Sequence, residues 1–189
     1  MSAGFILASA SPRRLDLLAT LGLTPDAVRP ADINEDPIPG ELAGPHALRL
    51  SREKALAVHE PGNIVLAADT VVAVGRRILP KTEERTEAEN CLRLMSGRSH
   101  RVFTGVCVID RDGVSRDRLS ETRLKMKRLC ETELNAYLDS EEWRGKAGGY
   151  GIQGRAGAFI LHLSGSYTGV VGLPVYEARN LLMAAGVAA

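Results

Sequence analysis

The stretch Asn63-Ile64-Val65-Leu66-Ala67-Ala68-Asp69-Thr70-Val71-Val72-Ala73-Val74 decides the fold. It is apolar apart from Asn63, Asp69 and Thr70, and a short continuous apolar run of this kind is a buried strand. Gly75-Arg76-Arg77 at its end predicts a hairpin turn. A carboxylate inside such a run is costly to bury unless it is paired, bound to a metal, or set at a strand end in a cleft. Asp69 is therefore the first candidate functional residue. Its plain alternative is a capping Asp where the strand leaves the sheet.

Toward the N-terminus, residues 5–8 form a second strand-like run that leads into Ser9-Ala10-Ser11-Pro12-Arg13-Arg14. Ser11 can cap a helix and Pro12 suits its first turn. Leu17, Leu18 and Leu21 then share one face, and Gly22 stops the helix. Two hydroxyls and two guanidiniums at a helix start favour an anion, because free N–H groups and the helix dipole point there and arginine forks match phosphate. Residues 30–45 read as a Pro- and Gly-rich loop carrying Asp32, Glu35 and Asp36. A helix over 45–59 follows, with Leu48, Ala55 and Leu56 expected inward.

Toward the C-terminus, Thr86 and Glu89 have capping-box spacing for a helix ending near Gly97. Residues 101–110 and 114–127 read as a strand pair joined at Arg111-Asp112-Gly113, the second alternating through Leu119, Leu124 and Met126. A helix is expected over 131–139, strands over 159–163 and 169–171, and a last helix from Pro174 to Gly186. Helices and strands intermixed in this way indicate an α/β domain.

The composition bounds the function. Lys plus Arg total 24 against 23 Asp plus Glu in 189 residues, a net charge of +1, which lacks the basic excess of a general nucleic-acid binder. Apolar residues make up 44% and charged residues 25%, as in a soluble globular protein. No apolar run reaches the length of a membrane span. The start Met1-Ser2-Ala3-Gly4 has no basic residue before the short run 5–8, so no secretory leader is read and a cytoplasmic setting is expected. Cys91, Cys107 and Cys130 are widely spaced, without C-x-x-C, and read as small core residues rather than disulfides or a zinc site. The histidines are scattered, and no P-loop, H-E-x-x-H or G-x-S-x-G motif occurs.

Gly149-Tyr150-Gly151-Ile152-Gln153-Gly154 does fit G-x-G-x-x-G. It lies between a Trp-Arg-Gly-Lys loop and a strand-like run, the reverse of the strand-then-helix context that a dinucleotide site requires. Its glycines still let a ligand approach the backbone. Lys54, Lys81 and Lys146 are ordinary surface residues taken singly, yet each borders a candidate site element. Asp32 and Glu35 could share a divalent cation with Asp69, and oxygen ligands of that kind suit magnesium or manganese.

In order along the chain, LASASPRRLDLL from Leu7, SREKALAV from Ser51, LAADTVVAV from Leu66, LMSGRSHRVFTGV from Leu94, KAGGYGIQG from Lys146 and GSYTGVVGLPVYE from Gly165 resemble the Maf family of nucleoside triphosphate pyrophosphatases. The KAGGYGIQG block is similar to the branch that hydrolyses dTTP and UTP. The resemblance implies a Maf/ITPase-like α/β fold, an extended mixed β-sheet flanked by helices with a deep central cleft. It implies one domain over residues 1–189, with two lobes around that cleft, and a homodimer. It further implies hydrolysis of a nucleoside triphosphate to the monophosphate and pyrophosphate with a divalent metal, and neither nucleic acid nor membrane as partner.

Residue by residue, the resemblance places Asp69 at the proton acceptor and Arg13, Thr70 and Gln153 at positions tied to substrate choice. Ser9, Arg14, Lys54 and Lys81 fall on phosphate-side positions, and Glu35 joins Asp69 on the metal side. Two other readings stand beside this one: a house-cleaning pyrophosphatase of broader range acting on modified nucleotides, and a non-catalytic nucleotide-binding regulator of cell division.

Overall fold

The computed structural model describes residues 4–187; residues 1–3, on which the leader reading rests, lie outside them. The elements run β1 (Phe5–Leu7), α1 (Pro12–Ala19), β2 (Ala27–Val28), α2 (Ala43–Val58), β3 (Ile64–Val74), β4 (Arg77–Leu79), β5 (Lys81–Thr82), α3 (Arg85–Met95), β6 (Ser99–Ile109), β7 (Ser115–Met126), α4 (Glu131–Asp139), β8 (Lys146–Ala147), β9 (Ile160–Ser164), α5 (Tyr167–Val171) and α6 (Val175–Ala184). One mixed sheet has the order β2-β1-β3-β6-β7-β9, with β4 also on β3. The β1–β2 and β1–β3 pairs are parallel and the rest antiparallel. A small second sheet pairs β5 with β8. This is the mixed α/β sheet expected.

The apolar run of β3 is buried on both faces because successive side chains alternate sides. Ile64, Leu66 and Ala68 pack with Leu18 of α1 and with Ala178, Leu181 and Leu182 of α6. Val65 and Ala67 pack against Ala55 of α2, with Cys107 and Ile109 of β6 beside them. A further core joins α3 and α4 to Val72, Val102, Trp143 and Tyr150.

The strand has one feature that its sequence hides. β1 covers its edge only over Ile64–Leu66, and β4 covers it only over Val72–Val74. On the other side β6 pairs from Val65 to Ala73 without a break. Among the described residues no strand covers β3 between Leu66 and Val72, so the sheet edge opens there, at Asp69 and Thr70. Both faces of the strand reach the opening, which is how a carboxylate sits within an otherwise apolar run.

α2 lies close on the sheet because Gly105 of β6 leaves room for it. A Cβ on Gly105 would stand 2.3 Å from the Ala47 carbonyl oxygen, and Gly105 is the register partner of Asp69. The close approach brings the last turns of α2 over the opening.

Several local expectations are corrected. The inward face of α2 is Ala47, Leu50, Ser51, Lys54 and Ala55; Leu48 is half-buried and Leu56 is 64% exposed. The helix is rotated so that Lys54, not Leu56, faces the sheet. Ser11 stands at the N-cap of α1 without a side-chain cap bond. The capping box of α3 is Glu84 with Glu87, not Thr86 with Glu89. Residues 169–171 belong to α5, capped by the Ser166 hydroxyl accepting from the Gly169 N–H, not to a strand. Leu119 is 40% exposed; Ser120, Thr122, Leu124 and Met126 form the buried face of β7. Cys91 and Cys107 are core residues, whereas Cys130 is exposed at the N-cap of α4. The G-x-G-x-x-G segment is preceded by two-residue β8 and followed by a short 3-10 turn over Arg155–Phe159, and β8 pairs antiparallel with β5, so no strand–helix–strand unit encloses it.

Candidate active site

The opening beside β3 faces a cleft of about 380 Å³, within the range of small-ligand sites. Ser9, Arg13, Arg14, Glu35, Lys54, Asp69, Thr70, Lys81 and Gln153 all line it. The structure thus brings together every residue singled out from the sequence, from positions 9 to 153, except Asp32. That residue is exposed and is not among the lining residues, because the extended chain of 31–35 alternates and presents Ala31 and Glu35 inward.

Asp69 is 3% exposed. Its Oδ1 accepts from Lys54 Nζ at 2.6 Å, and the same ammonium lies 2.6 Å from Glu35 Oε1. The other oxygen of Glu35 accepts from Lys81. The chain of charges Asp69–Lys54–Glu35–Lys81 therefore ties α2, β3, β5 and the acidic loop together. Burial pushes the Glu35 carboxyl upward, but the bonds from Lys54 and Lys81 outweigh it and bring it down to about 2. Glu35 is a carboxylate at any physiological pH.

The two arginines are held from behind. Arg14 Nε donates to the Gly172 carbonyl at 2.8 Å and its Nη1 to the Ser9 hydroxyl at 2.9 Å. Arg13 Nε donates to the Val171 carbonyl at 3.3 Å. Desolvation lowers the Arg14 guanidinium from its ordinary value, Asp69 opposes that, Arg13 adds to it and Glu35 opposes it. α5 with its C-cap Gly172 is thus a buttress that aims both forks across the α1 N-terminus. It is fixed in turn by Thr104, whose hydroxyl donates to the Gly169 carbonyl at 2.8 Å and lies 3.1 Å from that of Thr70.

Lys146, Tyr150, Gly151 and Gln153 line the cleft as well. Tyr150 is buried beneath the glycines, with its hydroxyl 2.6 Å from His100 Nε2. Burial holds His100 down to about 4 and raises the Tyr150 phenol, so both are neutral supports for the loop. Sequence reading noted Lys146 without placing it in the site, and it missed Thr104 and the Val171 and Gly172 carbonyls. The order of blocks hinted at a shared site, but hydrogen bonds made by main-chain oxygen leave no residue-type signal.

Over the whole cleft, Arg13, Arg14, Lys54, Lys81 and Lys146 stand against Glu35 and Asp69. A narrow site with that surplus of cations selects a polyanion. Among the described residues no group of three or more His, Cys, Asp or Glu side chains converges as a metal site. Glu35 and Asp69 nonetheless meet on one ammonium. Two carboxylates with water and substrate phosphate completing the shell is the usual donor set for magnesium, so the residues present fit such an ion.

A model of the Maf-like protein family matches residues 4–185. The chain belongs to the Maf family. It is 62% identical over 184 residues to the dTTP/UTP pyrophosphatase of Maricaulis maris, covering 96% of this chain and 88% of that one. The dTTP/UTP pyrophosphatase of Caulobacter vibrioides is 58% identical over 190 residues, covering 98% of each. Among solved structures, a HAM1 protein from Coxiella burnetii superposes with a TM-score of 0.51 at 16% identity, covering 96% of this chain and 98% of that one. That likeness concerns the fold. No helix among the described residues is long and apolar enough to cross a membrane.

Proposed function

We propose that this Maf-family chain hydrolyses dTTP and UTP at the bond between the α- and β-phosphates, releasing the nucleoside monophosphate and pyrophosphate. The observation that carries the reading is the Asp69–Lys54–Glu35–Lys81 chain, buried at Asp69 and Lys54, beside the Arg13–Arg14 clamp in a cleft also lined by glycines and the Gln153 amide. Relatives 56–62% identical over most of the chain are dTTP/UTP pyrophosphatases, which supports the same reading.

In this reading Arg14, Ser9, Lys54 and Lys81 hold the triphosphate and are already oriented before it binds, so little reorganisation is needed as charge builds on the leaving pyrophosphate. Asp69, facing the cleft at the uncovered edge of β3, accepts the proton of the water that attacks the α-phosphorus. The Pα–O–Pβ bond breaks, and its electron pair leaves with pyrophosphate. A divalent cation on Asp69 and Glu35 would supply charge neutralisation at the phosphates and a lowered pKa for bound water. Gln153, with one acceptor and two donors on its amide, pairs with the base edge, and Arg13 and Thr70 share in substrate choice. The reading carries with it a single domain over residues 1–189, two lobes around the cleft, a cytoplasmic setting and a homodimeric assembly.

The test is pyrophosphate release from dTTP, UTP, CTP, GTP, ITP and 7-methyl-GTP, with and without magnesium or manganese. Metal-dependent turnover of dTTP and UTP well above the others is expected. Broad turnover favours a house-cleaning enzyme, and none favours a regulator.

A further inference from the structure

Gln153 cannot by itself tell uracil or thymine from cytosine. Its amide presents an acceptor beside a donor. Turned one way, it accepts from the N3–H of uracil and donates to O4. Turned the other way, it donates to N3 of cytosine and accepts from the 4-amino group. A reader that separates keto from amino pyrimidines must have a hydrogen-bonding sign that rotation cannot reverse. An ammonium has three donors and no acceptor, and so meets that condition.

Lys146 stands where such a group is required. It lines the cleft, and β8 carries it opposite Thr82 while Lys81, the neighbouring residue on β5, serves the charged end. Its side chain lies across Gly151. A Cβ placed there would stand 3.0 Å from Lys146 Cε, 3.1 Å from its Cδ and 3.2 Å from Gln153 Oε1. The lysine stem and the glutamine amide therefore meet over one glycine, where any side chain would part them. Lys146 Nζ donates to the Glu142 carbonyl, which anchors the ammonium and leaves two N–H donors. Lys54 and Lys81 are paired with carboxylates; among the described residues Lys146 has none within salt-bridge distance. Burial, with Arg13 nearby, lowers its ammonium from the ordinary value and Glu142 opposes that.

We infer that Lys146 is a specificity-determining residue that donates to the keto oxygen at position 4 of the pyrimidine and rejects the amino group of cytosine, an inference that rests on the dTTP/UTP reading above. The test compares kcat/KM for UTP and CTP in wild type, Lys146→Met, Lys146→Gln and Lys146→Arg. Loss of a charged hydrogen bond at the base lowers the UTP:CTP ratio roughly tenfold or more in Lys146→Met. Lys146→Gln, which can turn as Gln153 does, loses the ratio as well, and Lys146→Arg, a donor only, keeps it. If Lys146→Met does not fold, the Gln and Arg variants decide between them. An equal loss for both nucleotides, or an unchanged ratio in the Gln variant, overturns the inference. Wild type that turns over neither dTTP nor UTP overturns the underlying reading instead, and is seen before any variant is made.

Discussion

At the Asp69 end of the cleft, side chains are fixed by ion pairs between α2, β3, β5 and the acidic loop. At the Gln153 end they are placed by backbone: the Glu142 carbonyl holds Lys146, and the glycines leave space between Lys146 and Gln153. The first end has strong, preoriented charge and little freedom; the second has shape and few bonds. Phosphate chemistry needs the former, since charge must be in place before the barrier is crossed. Base recognition needs the latter, since a flat ring must slide against backbone. Substitutions at the two ends should therefore fail in different ways.

The largest effect belongs to the charged end. Asp69→Asn should lower kcat by about 10²–10⁴ while the protein stays folded, because Lys54 keeps Glu35 as a partner. Rate assays together with a thermal melt check both halves. Lys54→Met makes the opposite kind of damage. It leaves Asp69 buried without its cation, and loss of one member of a buried pair costs about 3–5 kcal/mol; a denaturant midpoint well below that of Asp69→Asn is expected.

At the other end, Gln153→Ala should leave stability within about 0.5 kcal/mol, as for other exposed side chains. It should change the ranking of triphosphates, and a panel of kcat/KM values reads this directly. An unchanged ranking would remove Gln153 from the base site.

The smallest effect on turnover concerns the strap that delivers Glu35. The acidic loop is fastened to α2 at Glu41, which accepts from Arg49 Nε and Nη2 at 2.8 Å, and from the Ile38 N–H. The Arg49 bonds hold the Glu41 carboxyl down to about 2 from 4.5. Because its folded value is depressed, its stabilisation is fully present above pH 4.5 and is lost as pH falls through about 2. Glu41→Gln should lower stability at neutral pH by about 2 kcal/mol and flatten the stability–pH curve over that window, as urea midpoints measured across pH would show.

Much of this was legible in the residues themselves. The β3 run, the Ser9–Arg14 helix start and the glycine-rich block could each be read because residue type and spacing carry the signal. The phase of α2 could not, since local hydrophobicity favours Leu56 and only the partner Asp69, 15 residues away in sequence, selects Lys54 for the inside. Asp69 marked the place within β3, but the reason the sheet is open there was hidden. It depends on where β1 and β4 stop, a property of pairing between distant segments. The misread strand at 169–171 shows the same limit in part: its Ser166 cap is local, but the Thr104 hydroxyl that holds the Gly169 carbonyl acts from β6, across the fold. Lys146 was visible as a residue, but its place in the cleft follows only from the pairing of β5 with β8.

The most direct measurement is turnover of UTP in H₂¹⁸O, with both products analysed for the label. The account predicts one ¹⁸O in the nucleoside monophosphate and none in pyrophosphate, because water enters at the α-phosphorus. Label in pyrophosphate, or release of orthophosphate and a nucleoside diphosphate, would contradict it.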